Sequence, residues 1–345
     1  MKILVVNTMA PFVWGGAEEL AVHLKRSLEA AGHQAEVLRI PFRWEPATYI
    51  PSQMLMVRSL ELWNVDRVIA LKFPAYLARH PHKTLWLLHQ YRQAYDLFDA
   101  GQSNLPRNET GEDIRKLIKA ADDDAFRESQ RIFTNSEVTR QRLAKYNNFS
   151  SKVLLPPLND HHLFTGGPAD GYIFAGGRVN SMKRQHLLVE ALVHAPAQVR
   201  LLIGGPPDTP HDARNLIELA ERLGVQDRVR LDLRFLPREE YAAYVNGAKA
   251  VAYLPFDEDS LGYVTMEGAT AGKALITTSD SGGVLGLVKD GETGWVAAPE
   301  ATALAECMAA VYANESTTLR LGGAARELWR RMGITWERTV ETLLA

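Results

Sequence analysis

The chain has 345 residues, a length that suits two α/β domains better than one. Its net charge of −2 gives no indication of nucleic-acid binding, and its 46% hydrophobic and 23% charged residues are ordinary for a globular protein. With one cysteine, Cys307, the chain can form no internal disulfide and no cysteine metal cluster. Since no run of 18 apolar residues occurs, we expect no membrane span and, by default, residence in the cytoplasm.

The first half of the chain alternates apolar runs with helical patterns. Residues 2–7 (KILVVN) form a continuous apolar run that is typical of a central parallel strand. Leucines spaced four apart, at Leu20, Leu24 and Leu28, predict a helix after it. Residues 91–124 are polar and broken, which predicts an exposed excursion, and a long helix is predicted over residues 114–130. Further strands are predicted at QAEVLRI, RVIALK, TLWLLH and RIFTNS, and a further helix at SEVTRQRLAKY.

The segment LLPPLND, residues 154–160, is the best candidate for a domain boundary, because paired prolines cannot continue a helix or a central strand. The β–α alternation restarts after it, with strands predicted at YIFAGG, VRLLIGG, VRLDLRF, AVAYLP, ALITT and GWVA. We therefore predict an α/β protein with two Rossmann-like domains that face each other across a cleft. The predicted divisions are residues 1–155, residues 156–328 and a final helix over residues 329–345 that crosses back to the first domain.

The most informative segment is DSLGYVTMEGATAGKALITTSDSGG, which begins at Asp259. It has two carboxylates, Asp259 and Glu267, eight positions apart, with Gly262 between them. The pattern predicts a loop that enters a helix near Tyr263, and the unpaired N–H groups of such a first turn can bind phosphate without a metal. Glu267 would accept hydrogen bonds from ribose hydroxyls, and Asp259 from those of a second ring. An ordinary capped helix is the alternative, although the parallel α/β context favours a ligand site.

Two other loops carry glycine next to polar or charged groups. Arg178 and Lys183 follow the predicted strand YIFAGG and precede a helix, so these two cations can clamp a diphosphate; a solvated basic loop is the alternative. Gly15 and Gly16 occupy the turn after the first strand, where a phosphate contact and a simple tight turn fit equally well.

Two strand ends supply the remaining candidates. His89 ends a strand of the first domain, where it is either a catalytic or substrate-orienting group or a residue that satisfies local hydrogen bonds. In the second domain, the backbone of RFLP, residues 234–237, can meet a nucleobase, with Phe235 or Leu236 lining the site. Packing of Phe235 in the core is an equal alternative.

Together these pieces resemble the large retaining family 4 of the GT-B glycosyltransferases, also described as glycosyl transferases group 1. The resemblance rests on GGAEE with the helix after it, GGRVNSMKRQHLLVEAL, DSLGYVTMEGATAGKALITT and TWERTVETLL, which occur in the family's order and span essentially the whole chain. It implies a GT-B fold with an N-terminal acceptor domain and a C-terminal nucleotide-sugar donor domain. It also implies an enzyme that requires neither a metal nor a cofactor.

The resemblance assigns a role to each candidate by its position. Catalytic roles fall to Arg178, Lys183 and His89. The donor sugar is assigned to His89, Asp259 and Gly262. The donor diphosphate and nucleotide are assigned to Gly15, Gly16, Arg178, Lys183, Phe235, Leu236, Tyr263, Val264 and Glu267. The chain departs from the family at Asp259, where Glu is usual, so that this carboxylate is drawn back by one methylene, about 1.5 Å.

The implied function is transfer of a hexose-like sugar from a nucleoside diphosphate sugar to a hydroxyl of a sugar, glycan or lipid-linked acceptor, with retention, in polysaccharide biosynthesis. The alternatives are another GT-B enzyme, such as a nucleotide-sugar epimerase or a phosphorylase, and a non-catalytic nucleotide-sugar binding protein. Residues 1–155 have 21 Lys and Arg against 17 Asp and Glu, a net charge of +4. This surplus is consistent with peripheral contact of the N-terminal domain at the inner face of the membrane, or with solvated surface charge alone.

Overall fold

The computed structural model describes residues 1–345, and the chain divides into two compact units. The first unit comprises residues 1–157 together with residues 335–345. Its strands are β1 (Lys2–Met9), β2 (Gln34–Pro41), β3 (Arg67–Ala70), β4 (Lys83–Leu87), β5 (Arg131–Thr134) and β6 (Lys152–Val153). Its first helices are α1 (Gly16–Ala30), α2 (Ile50–Arg58), α3 (Asp96–Asp99), α4 (Glu109–Arg127) and α5 (Glu137–Asn147).

The second unit comprises residues 158–334. Its strands are β7 (Ile173–Gly176), β8 (Leu201–Gly204), β9 (Val229–Asp232), β10 (Ala250–Ala252), β11 (Ala274–Thr278) and β12 (Gly294–Ala297). Its helices are α6 (Gln185–Ala191), α7 (Pro210–Arg222), α8 (Arg238–Gly247), α9 (Tyr263–Thr270), α10 (Ala301–Ala313) and α11 (Glu315–Met332). No helix of the chain combines the length and the apolar character that a bilayer crossing requires.

The last helix, α12 (Trp336–Leu344), returns to the first unit, as predicted. Val340 and Leu343 are buried in the same hydrophobic cluster as Leu20 and Leu24 of α1. Because the leucine stripe of α1 is shared between the sheet and α12, the end of the chain completes the core of the first unit.

Each unit contains one six-stranded sheet in which every strand pair is parallel. The strand orders are β2-β1-β3-β4-β5-β6 and β12-β11-β10-β7-β8-β9. In both sheets the strand order reverses direction beside the unit's first strand, between β1 and β3 and between β7 and β10. Open α/β sheets bind ligands outside the carboxyl ends of their strands at such switch points, so the topology marks one candidate location in each unit.

One prediction about the first unit is wrong in part. Residues 99–102 and 107–110 are exposed, but Tyr91, Phe98 and Leu105 are buried and Tyr95 is only 1% exposed, so residues 91–124 as a whole are not an exposed excursion. The long helix α4 also begins earlier than predicted, at Glu109, where the side chain of Asn108 accepts a hydrogen bond from Gly111 N–H. In this stretch, polar residues alternate with aromatic residues whose side chains are buried in the core, so the polar composition does not indicate exposure of the whole stretch.

A buried polar network supports the loop after β4. Tyr76 and Tyr95 donate their hydroxyls to the two oxygens of Asp122, at 2.9 and 2.8 Å. Asn147 donates to the hydroxyl of Tyr95 at 3.1 Å, and Gln90 donates to Asn147 at 3.0 Å. Burial raises the pKa of Asp122 to about 8 even though both tyrosine hydroxyls favour the ionised form.

We expect Asp122 to make stability depend on pH. The folded state keeps a proton on Asp122 that the unfolded chain has released above about pH 4, so the free energy of unfolding falls as pH rises toward 8. As pH rises through this window, the free energy of unfolding of Asp122→Asn should therefore increase relative to that of the wild type by up to about 1.4 kcal/mol per pH unit. Urea denaturation at a series of pH values measures this difference. The control is Asp113→Asn, an exposed site on α4. A stability difference that does not vary with pH would show that Asp122 ionises normally.

Candidate functional site

The carboxyl ends of β7 and β10 lie side by side in the second unit, and glycines end the first of these strands. A Cβ atom on Gly176 would lie 2.2 Å from the hydroxyl of Tyr241. One on Gly177, whose φ is +98°, would lie 3.6 Å from Val264 at the start of α9. Gly176 therefore lets the end of β7 approach Tyr241 closely, whereas Gly177 is favoured by its positive φ.

Lys183 occupies the loop between β7 and α6 and points to the end of β10. Its Nζ donates to the hydroxyl of Tyr253 at 2.7 Å and also to the carboxylate of Glu258. Tyr253 donates to the same Glu258 oxygen at 2.9 Å, and burial together with this carboxylate raises the pKa of Tyr253 well above its ordinary value. The charge of Lys183 is thus compensated by Glu258, which the sequence did not single out.

Arg178 stands in the same loop and is also paired. Its guanidinium contacts Asp208 at 2.9 Å, and Asn180 donates to the other Asp208 oxygen at 2.8 Å. Asn180 in turn accepts the backbone N–H of Lys183 at 3.0 Å, and Gln185 donates to the carbonyl of Arg178 at 3.0 Å. The backbone that carries both cations is therefore held by side-chain hydrogen bonds on either side.

The segment from Ser260 to Gly262 leads into α9, which begins at Tyr263 as predicted. Gly262 has a φ of +76°, and a Cβ there would lie 2.4 Å from the ring of Tyr253, so glycine is required on both grounds. The helical ladder starts with Met266 N–H to Gly262 O at 3.2 Å. The Tyr253 ring, which bonds Lys183 through its hydroxyl, thus places the Lys183 ammonium one aromatic ring away from the start of α9.

Glu267 lies in α9 and is 3% exposed. Its Oε1 accepts a hydrogen bond from Arg238 at 2.6 Å, whereas its Oε2 is buried without a hydrogen-bond partner. Arg238 comes from the start of α8, and its guanidinium also lies 4.8 Å from the ring centre of Phe164. One oxygen of this carboxylate is therefore held by a cation, and the other is enclosed by the protein. Burial and then the charge of Glu267 raise the pKa of Tyr241 well above its ordinary value.

The loop before α9 packs against the turn after β11. Gly283 N–H donates to Glu258 O at 2.8 Å, and a Cβ on Gly282 would lie 2.5 Å from that carbonyl. Asp259, the shortened member of the predicted carboxylate pair, is partly exposed in this loop. The structure thus brings Asp259 to the same strand edge as Glu258, but it is Glu258 that contacts Lys183.

The two candidates after β9 have different environments. Phe235 is 70% exposed, so the alternative that it packs in the core is wrong, whereas Leu236 is buried. A Cβ on Gly204 at the end of β8 would lie 3.1 Å from the Leu236 side chain. An exposed aromatic ring beside a strand end can present a face to a planar base.

Arg184 is a further residue that the sequence did not indicate. Its guanidinium makes two hydrogen bonds to Asp280, at 2.8 and 2.7 Å, and its Nε donates to Leu254 O at 2.8 Å. The bond from Arg184 lowers the pKa of Asp280. Arg184 therefore ties the segments after β10 and β11 together directly beside Lys183, and acts as a positioning residue for it.

In the first unit, the glycine turn at the start of α1 is hydrogen-bonded to a nearby carboxylate, that of Glu18. Gly15 N–H donates to Glu18 at 3.0 Å, and Lys72 donates to the other oxygen of Glu18 at 3.1 Å. Glu18 is buried, and Lys72 follows β3, so this pair lies at the switch point between β1 and β3. Gly15 and Gly16 form a tight turn into α1 whose first N–H is satisfied within the protein.

His89 follows β4 and has a defined tautomer. Its Nδ1 lies 2.8 Å from the carbonyl of Gln90, which requires Nδ1 to carry the proton that is donated and leaves Nε2 as an acceptor. Burial lowers the pKa of His89 to about 4, and the charges of Lys72, Arg92 and Arg142 act in the same direction. At neutral pH the imidazole is therefore uncharged and can accept a hydrogen bond from a hydroxyl. No group of three or more His, Cys, Asp or Glu side chains is arranged to hold a metal ion.

Residues 168–328 match the protein family described as Glycosyl transferases group 1. The D-inositol 3-phosphate glycosyltransferase of Xylanimonas cellulosilytica is 32% identical over 182 residues, which are 52% of this chain and 42% of that protein. The corresponding protein of Mycolicibacterium smegmatis is 29% identical over 237 residues, 63% of this chain and 52% of that protein. The chain thus spans about half the length of the curated relatives it matches.

Solved structures are similar over the whole chain. HepE of Anabaena, solved in complex with UDP and glucose, gives a TM-score of 0.74 at 17% identity and covers 100% of this chain and 99% of its own. Sucrose-phosphate synthase of Thermosynechococcus elongatus gives a TM-score of 0.78 at 17% identity, and the match covers 99% of this chain and 97% of that protein. The predicted α/β fold of the GT-B type is confirmed, and the family match with the named relatives supports a glycosyltransferase.

We expect Glu258 to oppose diphosphate binding, because its charge both occupies Lys183 and repels an incoming anion. Glu258→Gln keeps the shape of the side chain and should tighten the binding of a nucleoside diphosphate about fivefold, equivalent to about 1 kcal/mol. The measurement is calorimetric titration with whichever of UDP, GDP and ADP binds the wild type best. Glu306→Gln, an exposed site on α10, is the matched control. Weaker binding by Glu258→Gln would instead make Glu258 a residue that Lys183 needs for its position.

Proposed function

We propose that this protein is a retaining glycosyltransferase of family 4, which moves a sugar from a nucleoside diphosphate sugar to a hydroxyl of a sugar, polyol or lipid-linked glycan. The observation that carries the proposal is the arrangement at the β7–β10 switch point. There Lys183, the start of α9 and the buried Glu267 are joined through Tyr253 and Tyr241. This combination offers a cation, backbone N–H groups and a hydroxyl acceptor at one edge of the second sheet.

The donor nucleotide would bind along the carboxyl edge of the second sheet. Its phosphates would meet Lys183, Arg178 and the first N–H groups of α9, and its ribose would bond to Oε2 of Glu267. The exposed ring of Phe235, with Leu236 behind it, would line the base. The likeness of the fold to HepE, which was solved with UDP-glucose, supports a nucleotide-sugar donor.

The chemistry requires stabilisation of a diphosphate as it departs. The bond from the acceptor oxygen to the anomeric carbon forms while the bond from that carbon to the leaving phosphate oxygen breaks. The leaving oxygen takes the proton of the acceptor hydroxyl on the same face, so that configuration is retained without an enzyme nucleophile. Two cations and oriented N–H groups can stabilise the developing charge, and we propose that no divalent ion is needed.

The acceptor would bind the first unit. His89, uncharged and with Nε2 as an acceptor, can receive a hydrogen bond from a sugar hydroxyl. The relatives are named D-inositol 3-phosphate glycosyltransferases, which supports an acceptor that carries negative charge. The cations nearest His89 already contact carboxylates, Lys72 with Glu18 and both Arg92 and Arg142 with Asp96, so such an acceptor would compete with these pairs. We propose that the protein works in the cytoplasm, and the net charge of +4 in residues 1–155 supports contact with an anionic membrane surface when the acceptor is lipid-linked.

Lys183→Ala should slow sugar transfer by about a hundredfold or more, because the loss of a charge-assisted contact to the leaving group costs about 3 kcal/mol of transition-state stabilisation. The assay measures nucleoside diphosphate release with a panel of nucleotide sugars and acceptors, and addition of EDTA should leave the wild-type rate unchanged. Lys289→Ala, an exposed site in the second unit, is the control. If Lys183→Ala transfers sugar at the wild-type rate, Lys183 does not stabilise the leaving diphosphate. If EDTA abolishes the wild-type activity, the reaction requires a metal ion.

A further inference from the structure

A cavity of 460 Å³ lies in the second unit at the amino edge of the sheet, opposite the edge that carries Lys183. Its wall is formed by segments that immediately precede strands: residues 167–169 before β7, residues 248–249 before β10 and residues 271–273 before β11. Another side is closed by α11, from Glu315 to Arg326. The cavity is therefore separate from the donor site by the length of the strands.

The charges that line this cavity are unbalanced. Three cationic side chains, Lys249, Lys273 and Arg326, share it with a single carboxylate, Glu315. None of the three cations forms an ion pair within 4.0 Å, and the one further carboxylate that acts on Lys273 is Asp170, an exposed residue. This contrasts with the opposite edge, where every candidate cation is paired with a carboxylate.

Lys273 is the most deeply placed of the three, with 7% of its surface exposed. Its Nζ donates to the backbone carbonyl of Gly167 at 3.1 Å, which is a neutral partner. Burial lowers the pKa of Lys273, and the charge of Arg326 lowers it further. A buried ammonium that is not neutralised is costly, so the position favours an anionic partner.

Arg326 projects from α11 and is held in place by two more carbonyls. Its Nε donates to Thr270 O at 3.1 Å and its Nη2 to Thr165 O at 3.4 Å. The guanidinium lies against Gly272, where a Cβ would be 2.6 Å from Nη2. These contacts fix the orientation of a planar group that has five N–H donors, more than the two carbonyls use.

We propose that this cavity is a binding site for a phosphate group, held by Lys273 and Arg326 with Lys249 completing the charge. The volume lies within the range of about 300–1,000 Å³ that is typical of small-molecule sites. A rigid guanidinium fork and an ammonium at one wall match a tetrahedral oxyanion. The rival explanation is that Arg326 serves only the carboxyl end of α9, through Thr270 O, which would require no ligand.

The test is calorimetric titration of the full-length protein with inorganic phosphate at low ionic strength. Lys183→Ala is the background, since it removes the cation of the donor site that would also attract phosphate. Saturable binding should persist in this background and should weaken about tenfold or more when Lys273→Met or Arg326→Gln is added. Arg320→Gln, an exposed arginine of α11, should leave the affinity unchanged.

A second arm of the titration replaces inorganic phosphate with glucose 1-phosphate. Tighter binding of the ester assigns the cavity to a phosphorylated metabolite, and equal binding assigns it to free phosphate. If Lys273→Met does not fold, the phosphate affinity of the Lys183→Ala background is compared with and without Arg326→Gln or Lys249→Ser instead. The proposal is overturned if phosphate fails to bind saturably in Lys183→Ala, or if it binds equally well to the variants of the cavity.

Discussion

The ammonium group of Lys183 at the end of β7 is held by Glu258 and Tyr253. The lysine is largely removed from solvent, and a charged partner stabilises a cation in that position. In the proposed mode of donor binding, a diphosphate would take the place of this carboxylate at the ammonium group. Asn180 accepts the backbone N–H of Lys183, and Arg184 donates to the carbonyl of Leu254.

The two edges of the second sheet differ in how their cationic side chains are neutralised. At the carboxyl edge, Arg178, Lys183, Arg184 and Arg238 are paired with Asp208, Glu258, Asp280 and Glu267. At the amino edge, Lys273 and Arg326 donate only to backbone carbonyls, and Lys249 lies 5.6 Å from the ring centre of Tyr312. Helix α9 runs between these regions, with its N-cap residue Gly262 against the ring of Tyr253 and its last carbonyl bonded to Arg326. The helix dipole favours this cation at the end of α9 and would favour an anion at its start.

Local patterns in the sequence were enough to predict much of the fold. The apolar run of β1, the leucines of α1 and the entry into α9 at Tyr263 each depend on neighbouring residues, and the structure has all three. The partners within the site were not predictable in this way. Lys183 and Glu258 are 75 positions apart, and Arg238 and Glu267 are 29 apart, so only the sheet topology brings them together. The buried aromatic residues between Tyr91 and Leu105 were missed because polar neighbours conceal their pattern.

The most direct measurement is a crystal structure of the protein with a bound nucleoside diphosphate. The account predicts that the β-phosphate contacts Nζ of Lys183 and the first N–H groups of α9, with Glu258 displaced, and that a ribose hydroxyl donates to Oε2 of Glu267. A diphosphate bound elsewhere, with Lys183 still bonded to Glu258, would contradict it.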